Sequence, residues 1–277
     1  MSSHFIQTLV LLIIFCTVGI VLTGYGNFSL ERFKNFCSKS EINMSDMDIY
    51  LINLDRNADR LASFVKQYMA SDLKFKQFNR IQAVDGKDLG DNGLRSKVST
   101  RAYAEIVEIE NSGYRTKHYQ LTRGAVGCYL SHLRTYELVA SGVADYAMIF
   151  EDDVIIDKNI FAKMNMLMGQ IPHDWDIMLL SCYCILCDGY KEYYDAEKFF
   201  FLHCYVVKKE SAAKIVKHLA IKPIEQQIDS ELSDMVSAGH IKVYCAKESL
   251  CKQNNSFKTE IQTPLKVIPG VNPYMFV

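Results

Sequence analysis

The chain has 277 residues, with 31 basic and 32 acidic side chains and a formal net charge of −1. That length allows one sizeable domain with its own core and is short for two full Rossmann-like halves. The near-neutral balance excludes the global positive field of a nucleic-acid binder, and Lys97, Arg101, Arg115 and Lys117 are too dispersed to form a local basic stripe.

In chain order the first feature is an apolar run from Phe5 to Leu22, 18 residues without a charge. As a helix it would rise about 27 Å, close to the roughly 30 Å hydrocarbon core of a bilayer, so residues 1–23 read as a transmembrane anchor. A cleaved signal peptide and a buried core helix compete with that reading. The first lacks a basic n-region, because MSSH carries no Lys or Arg, and VLTGYG is a poor cleavage sequence. The second is weakened by residues 24–47, which mix Gly, Ser, Asn and charge and read as a stem or linker. Arg32, Lys34 and Lys39 would place the C-terminal side in the cytoplasm by the positive-inside rule, whereas the sequons at Asn27, Asn43 and Asn254 permit a lumenal side.

The globular domain is expected over residues 48–277. Ile49 to Leu54 reads as a strand, followed by the polar turn Asp55 to Arg60 and a helix with Leu61, Phe64, Val65 and Tyr68 on one face. Such a strand, turn and helix form a crevice suited to an anionic ligand. A second strand is expected at Phe75 to Ile81, running into Ala83-Val84-Asp85-Gly86. Gly90 to Tyr119 reads as a lid or acceptor loop around a short helix at Thr100 to Glu110. A longer helix begins near Leu121 and closes at Gly142, before the apolar strand Tyr146 to Phe150. Beyond it, Lys158 to Met168 reads as a helix, Trp175 to Leu180 and Phe199 to Val207 as strands, and Glu210 to Leu219 as a helix. This alternation predicts an α/β domain with a mostly parallel sheet covered on both faces. The cysteine cluster Cys182, Cys184 and Cys187, with His173 and His203 nearby, is open to a soft metal, a disulfide or buried free thiols, the last being the default.

The strongest chemical signal is Glu151-Asp152-Asp153 at the end of the apolar strand. Three like charges at the rim of a low-dielectric core repel one another. A divalent cation such as Mn²⁺ or Mg²⁺, shared with the phosphates of a substrate, offsets that repulsion. A solvated strand-to-loop turn is the ordinary alternative.

The flanking residues add a family resemblance. NLDR at 53–56, AVDG at 83–86, LTRGAVGCYLSH at 121–132 and MIFEDDV at 148–154 recur in the order and spacing of glycosyltransferase family 25, which includes lipooligosaccharide glycosyltransferases and collagen galactosyltransferases. The resemblance runs from about residue 49 to 262. It implies a GT-A-like nucleotide-sugar-binding domain and an inverting transfer of a hexose, galactose or glucose, from a UDP-sugar to a glycan or a hydroxylated protein acceptor. It also implies a single-pass type II protein with its catalytic domain in the lumen of the Golgi or endoplasmic reticulum.

Carried over residue by residue, the resemblance makes Asp153 the direct metal ligand, with Glu151 and Asp152 as further ligands or ribose partners. It assigns Asn53, Asp55, Arg56, Arg60 and Asp85 to the donor side, and His132 to positioning the site. Asp229 is the first choice for the base that deprotonates the acceptor hydroxyl, with His203 and Glu231 in reserve. For Arg60 a surface salt bridge, for Asp85 a plain Asp-Gly turn and for Asp229 a helix cap remain the structural alternatives. One departure stands out. Many relatives have Pro and Glu where this chain has Arg123 and Ala125, which keeps open a silent glycan-binding or scaffolding relative.

Overall fold

The computed structural model describes residues 46–117, 120–190 and 192–267. Its sheet has eight strands: β1 (Asp48–Asn53), β2 (Asn79–Gln82), β3 (Tyr146–Glu151), β5 (Ile177–Leu179), β6 (Tyr183–Gly189), β7 (Tyr193–Phe200), β8 (Cys204–Lys208) and β9 (Val243–Ala246). They lie in the order β2-β1-β3-β8-β5-β9-β7-β6, and β4 (Val154–Ile156) pairs separately with β10 (Cys251–Gln253). The helices are α1 (Ala58–Ala70), α2 (Asp91–Arg95), α3 (Thr100–Ser112), α4 (Arg123–Ser141), α5 (Ile160–Met168), α6 (Lys209–Leu219) and α7 (Ile228–Ser237).

The central strands are buried on both faces, which is why DIYLIN and YAMIFE are apolar without strict alternation. Ile49, Leu51, Met148 and Phe150 pack with Phe64 and Tyr68 of α1 and with Met164 of α5. Tyr50, Ile52, Ala147 and Ile149 pack on the other face with Val126 and Tyr129 of α4 and with Ala212 and Ile215 of α6. Two cores thus sandwich the sheet, and the ends of β1 and β3 emerge side by side, with Ile52 opposite Glu151.

Two expectations need correction. The sheet is mixed and not mostly parallel. β1–β2, β1–β3 and β5–β9 are parallel, whereas β3–β8, β5–β8, β7–β9 and β6–β7 are antiparallel. The parallel reading needs a crossover after each strand, but β6 and β7 form a hairpin and β8 inserts between β3 and β5. The expected strand from Phe199 to Val207 is two strands, broken where Phe201 adopts φ +75°.

The second correction concerns the membrane. Among the described residues no helix is long and apolar enough to cross a bilayer. The 19-residue α4 carries Arg123, Arg134 and Glu137 along its length. The run from Phe5 to Leu22 itself lies outside the described residues, as does nearly all of the expected stem. The transmembrane helix, the membrane partnership and the single-pass lumenal placement are therefore withdrawn. Between Gly90 and Lys117, α2 and α3 occupy most of the chain, and α3 covers the helix expected at Thr100 to Glu110.

Candidate active site

The site forms where β1 and β3 end beneath the start of α4. Thr122 caps that helix, its hydroxyl oxygen accepting from the Ala125 amide at 3.1 Å and satisfying one of the first-turn donors. The same hydroxyl donates to the Ile261 carbonyl, tying the C-terminal segment to the helix start. The turn Ala83 to Gly86 lies directly against α4. A Cβ added at Gly127 would stand 2.6 Å from both the Gly86 nitrogen and the Val84 oxygen, so only glycine permits this approach. Ser131 completes the clasp, accepting from the Val84 amide at 2.8 Å. One turn-length of sequence thus sets Asp85 at the cavity wall.

The carboxylates of the triplet have different surroundings. Glu151 is met by His132 Nε2 at 3.0 Å, and Nδ1 of the same ring lies 2.9 Å from the Tyr205 hydroxyl. One ring thus links the Glu151 carboxylate, which accepts from Nε2, to the Tyr205 hydroxyl at Nδ1. Burial opposes the charge on Glu151, but the hydrogen bond and charge of His132 hold its pKa below the usual carboxylate value.

Asp152 accepts from Asn53 Nδ2 at 2.7 Å and from Arg60 at 3.1 Å. Burial raises its pKa against those two partners. Asp153 lies 3.8 Å from Arg60 and accepts from Gln253 at 3.3 Å, while its Oδ1 is buried with no partner among the described residues. Burial and then the neighbouring Glu151 push the Asp153 pKa up.

Arg60 is itself buried. Besides Asp152 it donates to the Lys258 carbonyl, and its guanidinium lies 5.3 Å from the centre of the Phe257 ring. These partners offset the cost of burying the cation.

Two adjoining cavities meet at this point. The first, about 350 Å³, is lined by Arg56, Arg60, Asp85, Lys87, His132, Glu151, Asp152, Asp153 and Glu260 among others. The second, about 460 Å³, is lined by Ala125, Phe201, His203, Gln227, Asp229 and Asn254 among others. Cys128, Glu151, Asp153 and Gln253 belong to both, so the carboxylates form part of the shared wall. In the first cavity Arg56 pairs with Asp85 and, at 2.7 Å, with Glu260.

The expected residues distribute unevenly over these cavities. Arg56, Arg60, Asp85, His132 and the triplet share the first cavity, while Asn53 is buried beside it, holding Asp152 and accepting from Arg80 at 2.8 Å. Asp55 points elsewhere, paired with Arg80 and Gln82 at 2.5 Å each. Asp229 and His203 line the second cavity. Asp229 accepts from the amides of Ser230 at 2.8 Å and Phe201 at 3.3 Å, and burial pushes its pKa up to about 6. Burial lowers the His203 pKa, and its Nδ1 has no partner among the described residues. Glu231 is absent from both linings. It is a buried anchor for His218 at 3.0 Å and Lys222 at 2.5 Å.

Sequence reasoning missed Cys128, Tyr205, Lys87, Phe201 and Glu260. Cys128 and His132 stand four apart on α4, so a shared helix face was a signal that both reach the end of β3. Glu260 had no local signal, because 204 residues separate it from Arg56.

The residues fit a divalent ion. Cys128, His132 and Glu151 offer ligand atoms within 4.8 Å of one another. Burial and then Glu151 raise the Cys128 pKa, which disfavours its thiolate, so hard oxygen donors on Glu151 and Asp153 suit Mn²⁺ or Mg²⁺ better than the thiol does. The unpartnered Asp153 Oδ1 is the atom that most needs a cation. The cysteine cluster is not a soft-metal site. Cys182 pairs with Cys245, Cys184 with Cys187 and Cys204 with Cys251 in disulfides, contrary to the default of free thiols.

The site thus joins clustered carboxylates at the strand ends of an α/β domain to the cations Arg56, Arg60 and Lys87 in one cavity. The family model "Glycosyltransferase family 25 (LPS biosynthesis protein)" matches residues 46–210, more than half of the chain, and the chain belongs to that family. Procollagen galactosyltransferase 2 of Homo sapiens is 29% identical over 140 residues, covering 48% of this chain and 20% of that protein. Inactive glycosyltransferase 25 family member 3 of Homo sapiens is 27% identical over 138 residues, 48% of this chain and 21% of that protein. The chain therefore matches about a fifth of the length of these curated relatives.

Among solved structures, a Drosophila beta-1,4-galactosyltransferase 7 mutant in complex with manganese, UDP-Gal and xylobiose aligns at a TM-score of 0.37 and 12% identity, covering 76% of this chain and 68% of that one. Galactosyltransferase LgtC with donor and acceptor sugar analogs aligns at a TM-score of 0.36 and 13% identity, covering 71% and 72%. Neither likeness is strong enough to assign a residue.

Proposed function

We propose that this chain is a metal-dependent inverting glycosyltransferase that moves a hexose, galactose or glucose, from a UDP-sugar to an acceptor hydroxyl. The observation that carries this reading is the buried, unpartnered Asp153 Oδ1 on the wall between a cavity that holds Arg56, Arg60 and Lys87 and a second cavity that holds Asp229. A divalent ion held by Glu151 and Asp153 would neutralise charge on the leaving diphosphate. Arg56, Arg60 and Lys87 add positive charge to the same cavity, and Asp85 accepts hydrogen bonds from the nucleoside. Asp152 keeps Arg60 in place.

On the other side, Asp229 removes the proton of the acceptor hydroxyl as that oxygen attacks the anomeric carbon. The carbon–oxygen bond to diphosphate breaks, and its electron pair leaves with the diphosphate. A carboxylate with a pKa near 6 is ionised at neutral pH and still basic enough to accept that proton.

A second reading, the catalytically silent relative, has one observation in its favour. Ala125 lines the second cavity where many relatives are expected to place a Glu. Calorimetric titration of the full chain with UDP separates the nucleotide site from its absence. The proposal expects binding in Mn²⁺ that EDTA abolishes and Asp153→Ala weakens at least tenfold. Metal-independent binding, or none, rejects it.

A further inference from the structure

The second cavity contains a feature that sugar transfer alone does not require. Phe201 occupies the left-handed region at φ +75°, where a side chain is strained and glycine is favoured. That conformation does two things at once. It aims the Phe201 amide at the Asp229 carboxylate, 3.3 Å away, and leaves the residue 42% exposed. The Phe201 ring centre lies 6.3 Å from that of Tyr183, which is 61% exposed, and 6.0 Å from that of His203. A large apolar ring held at a strained, exposed position beside the proposed base is costly unless something rests on it.

The remainder of the lining says what that something is. Gln227, Gln253, Gln262, Asn254 and Asn255 give the cavity five carboxamides. Each carries an acceptor oxygen and two donor hydrogens. Gln253 uses its nitrogen on Asp153, Asn254 its oxygen on Ser256, and Gln262 its oxygen on Arg115. Beyond those bonds the three side chains carry an acceptor at Gln253 Oε1 and donors at Asn254 Nδ2 and Gln262 Nε2. Neutral donor–acceptor pairs match the hydroxyls of a sugar, and exposed rings match the apolar C–H face of a pyranose. A hydroxylysyl side chain would instead ask for a carboxylate dedicated to its ammonium, but Asp229 is engaged by two amides, Glu151 by His132, and Asp153 lies within reach of Arg60.

We propose that the second cavity is a saccharide subsite that takes a pyranose ring on the exposed face of Phe201. The carboxamides hold its hydroxyls, and one hydroxyl stands against Asp229. This subsite rests on the transfer reading above, for which it specifies the acceptor. Phe201 sets acceptor specificity and does not contribute to donor binding, since it lines only the second cavity of the two.

Saturation-transfer NMR on the full chain with UDP and Mn²⁺ tests this, with methyl galactoside, methyl glucoside, lactose and a hydroxylysine peptide as separate probes. At least one glycoside should show saturation on its ring protons. Phe201→Gly should reduce that signal at least fivefold and Phe201→Trp should keep it. Glycine suits the backbone, so Phe201→Gly should melt no lower than the parent and bind UDP within twofold of it. Saturation of the peptide alone, of no probe, or of glycosides equally in Phe201→Gly would overturn the subsite. Loss of UDP binding in the unaltered chain would instead overturn the transfer reading, and the glycoside signal reports on the subsite independently of it.

Discussion

Asp229 and Glu151 are both carboxylates near a cavity, and their neighbours give them opposite properties. His132 keeps Glu151 charged, whereas Asp229 has only backbone amides and burial pushes its pKa up to about 6. Activity should therefore fall below about pH 6 in kcat/KM as Asp229 takes up a proton. Asp229→Asn should lower kcat by about 10²- to 10⁴-fold and remove that acidic limb, while UDP binding persists. A limb unchanged in the variant would place the base elsewhere.

The same shift has a stability consequence. Between the unfolded value of about 3.9 and the folded value of about 6, the native state binds more protons, so this group costs stability as pH rises through that window. Asp229→Asn should stabilise the fold by at most about 3 kcal/mol at pH 8 and by nothing at pH 4, measured by urea denaturation. At this scale the sequence was informative for the triplet, because three acids after YAMIF have few uses. It was least informative for Asp55 and Glu231, whose partners Arg80, His218 and Lys222 decide their roles.

At the level of elements, the site depends on α4 lying against the turn Ala83 to Gly86. The glycine at 127 is a steric necessity, since its Cβ would collide with backbone atoms that have no side-chain freedom. Gly127→Ala should destabilise the protein by about 1–3 kcal/mol and weaken UDP binding together, because the displaced turn carries Asp85. Chemical denaturation and calorimetry on one preparation check both effects. Loss of neither would mean that the turn is not held by this contact.

Helices and central strands were readable because burial on both sides of β1 and β3 leaves a plain apolar signature. The hairpin β6–β7 was not. YCILCDG is largely exposed and its pairing with β7 shifts register after Cys184, so neither period nor hydrophobicity marked it. The break at Phe201 was invisible for a related reason, because nothing in the run Phe199-Phe200-Phe201 announces a left-handed residue.

Across the whole molecule, the mixed sheet brings distant segments to one place. β8 lies between β3 and β5, so that Tyr205 reaches His132 while Glu151 donates its amide to the His203 carbonyl at 2.9 Å. The C-terminal segment crosses the cavities, with the Asn254 amide on the Asp153 carbonyl at 2.6 Å and Arg115 on Gln262 at 2.8 Å. Cys182 and Cys245, 63 residues apart, join the segment after β5 to β9. Reducing that link should cost about 2–5 kcal/mol, read as a lower thermal midpoint. Equal midpoints with and without reductant, or free thiols at both positions by mass spectrometry, would contradict the pairing.

The central claim is that Glu151 and Asp153 serve a donor in one cavity while Asp229 serves an acceptor in the next. Its most direct test is turnover of UDP-galactose and UDP-glucose by the full chain with a glycoside acceptor, in Mn²⁺, in EDTA and with Asp153→Ala. The account predicts transfer from one donor in Mn²⁺ that disappears in both controls. Transfer that survives EDTA and Asp153→Ala unchanged would contradict it.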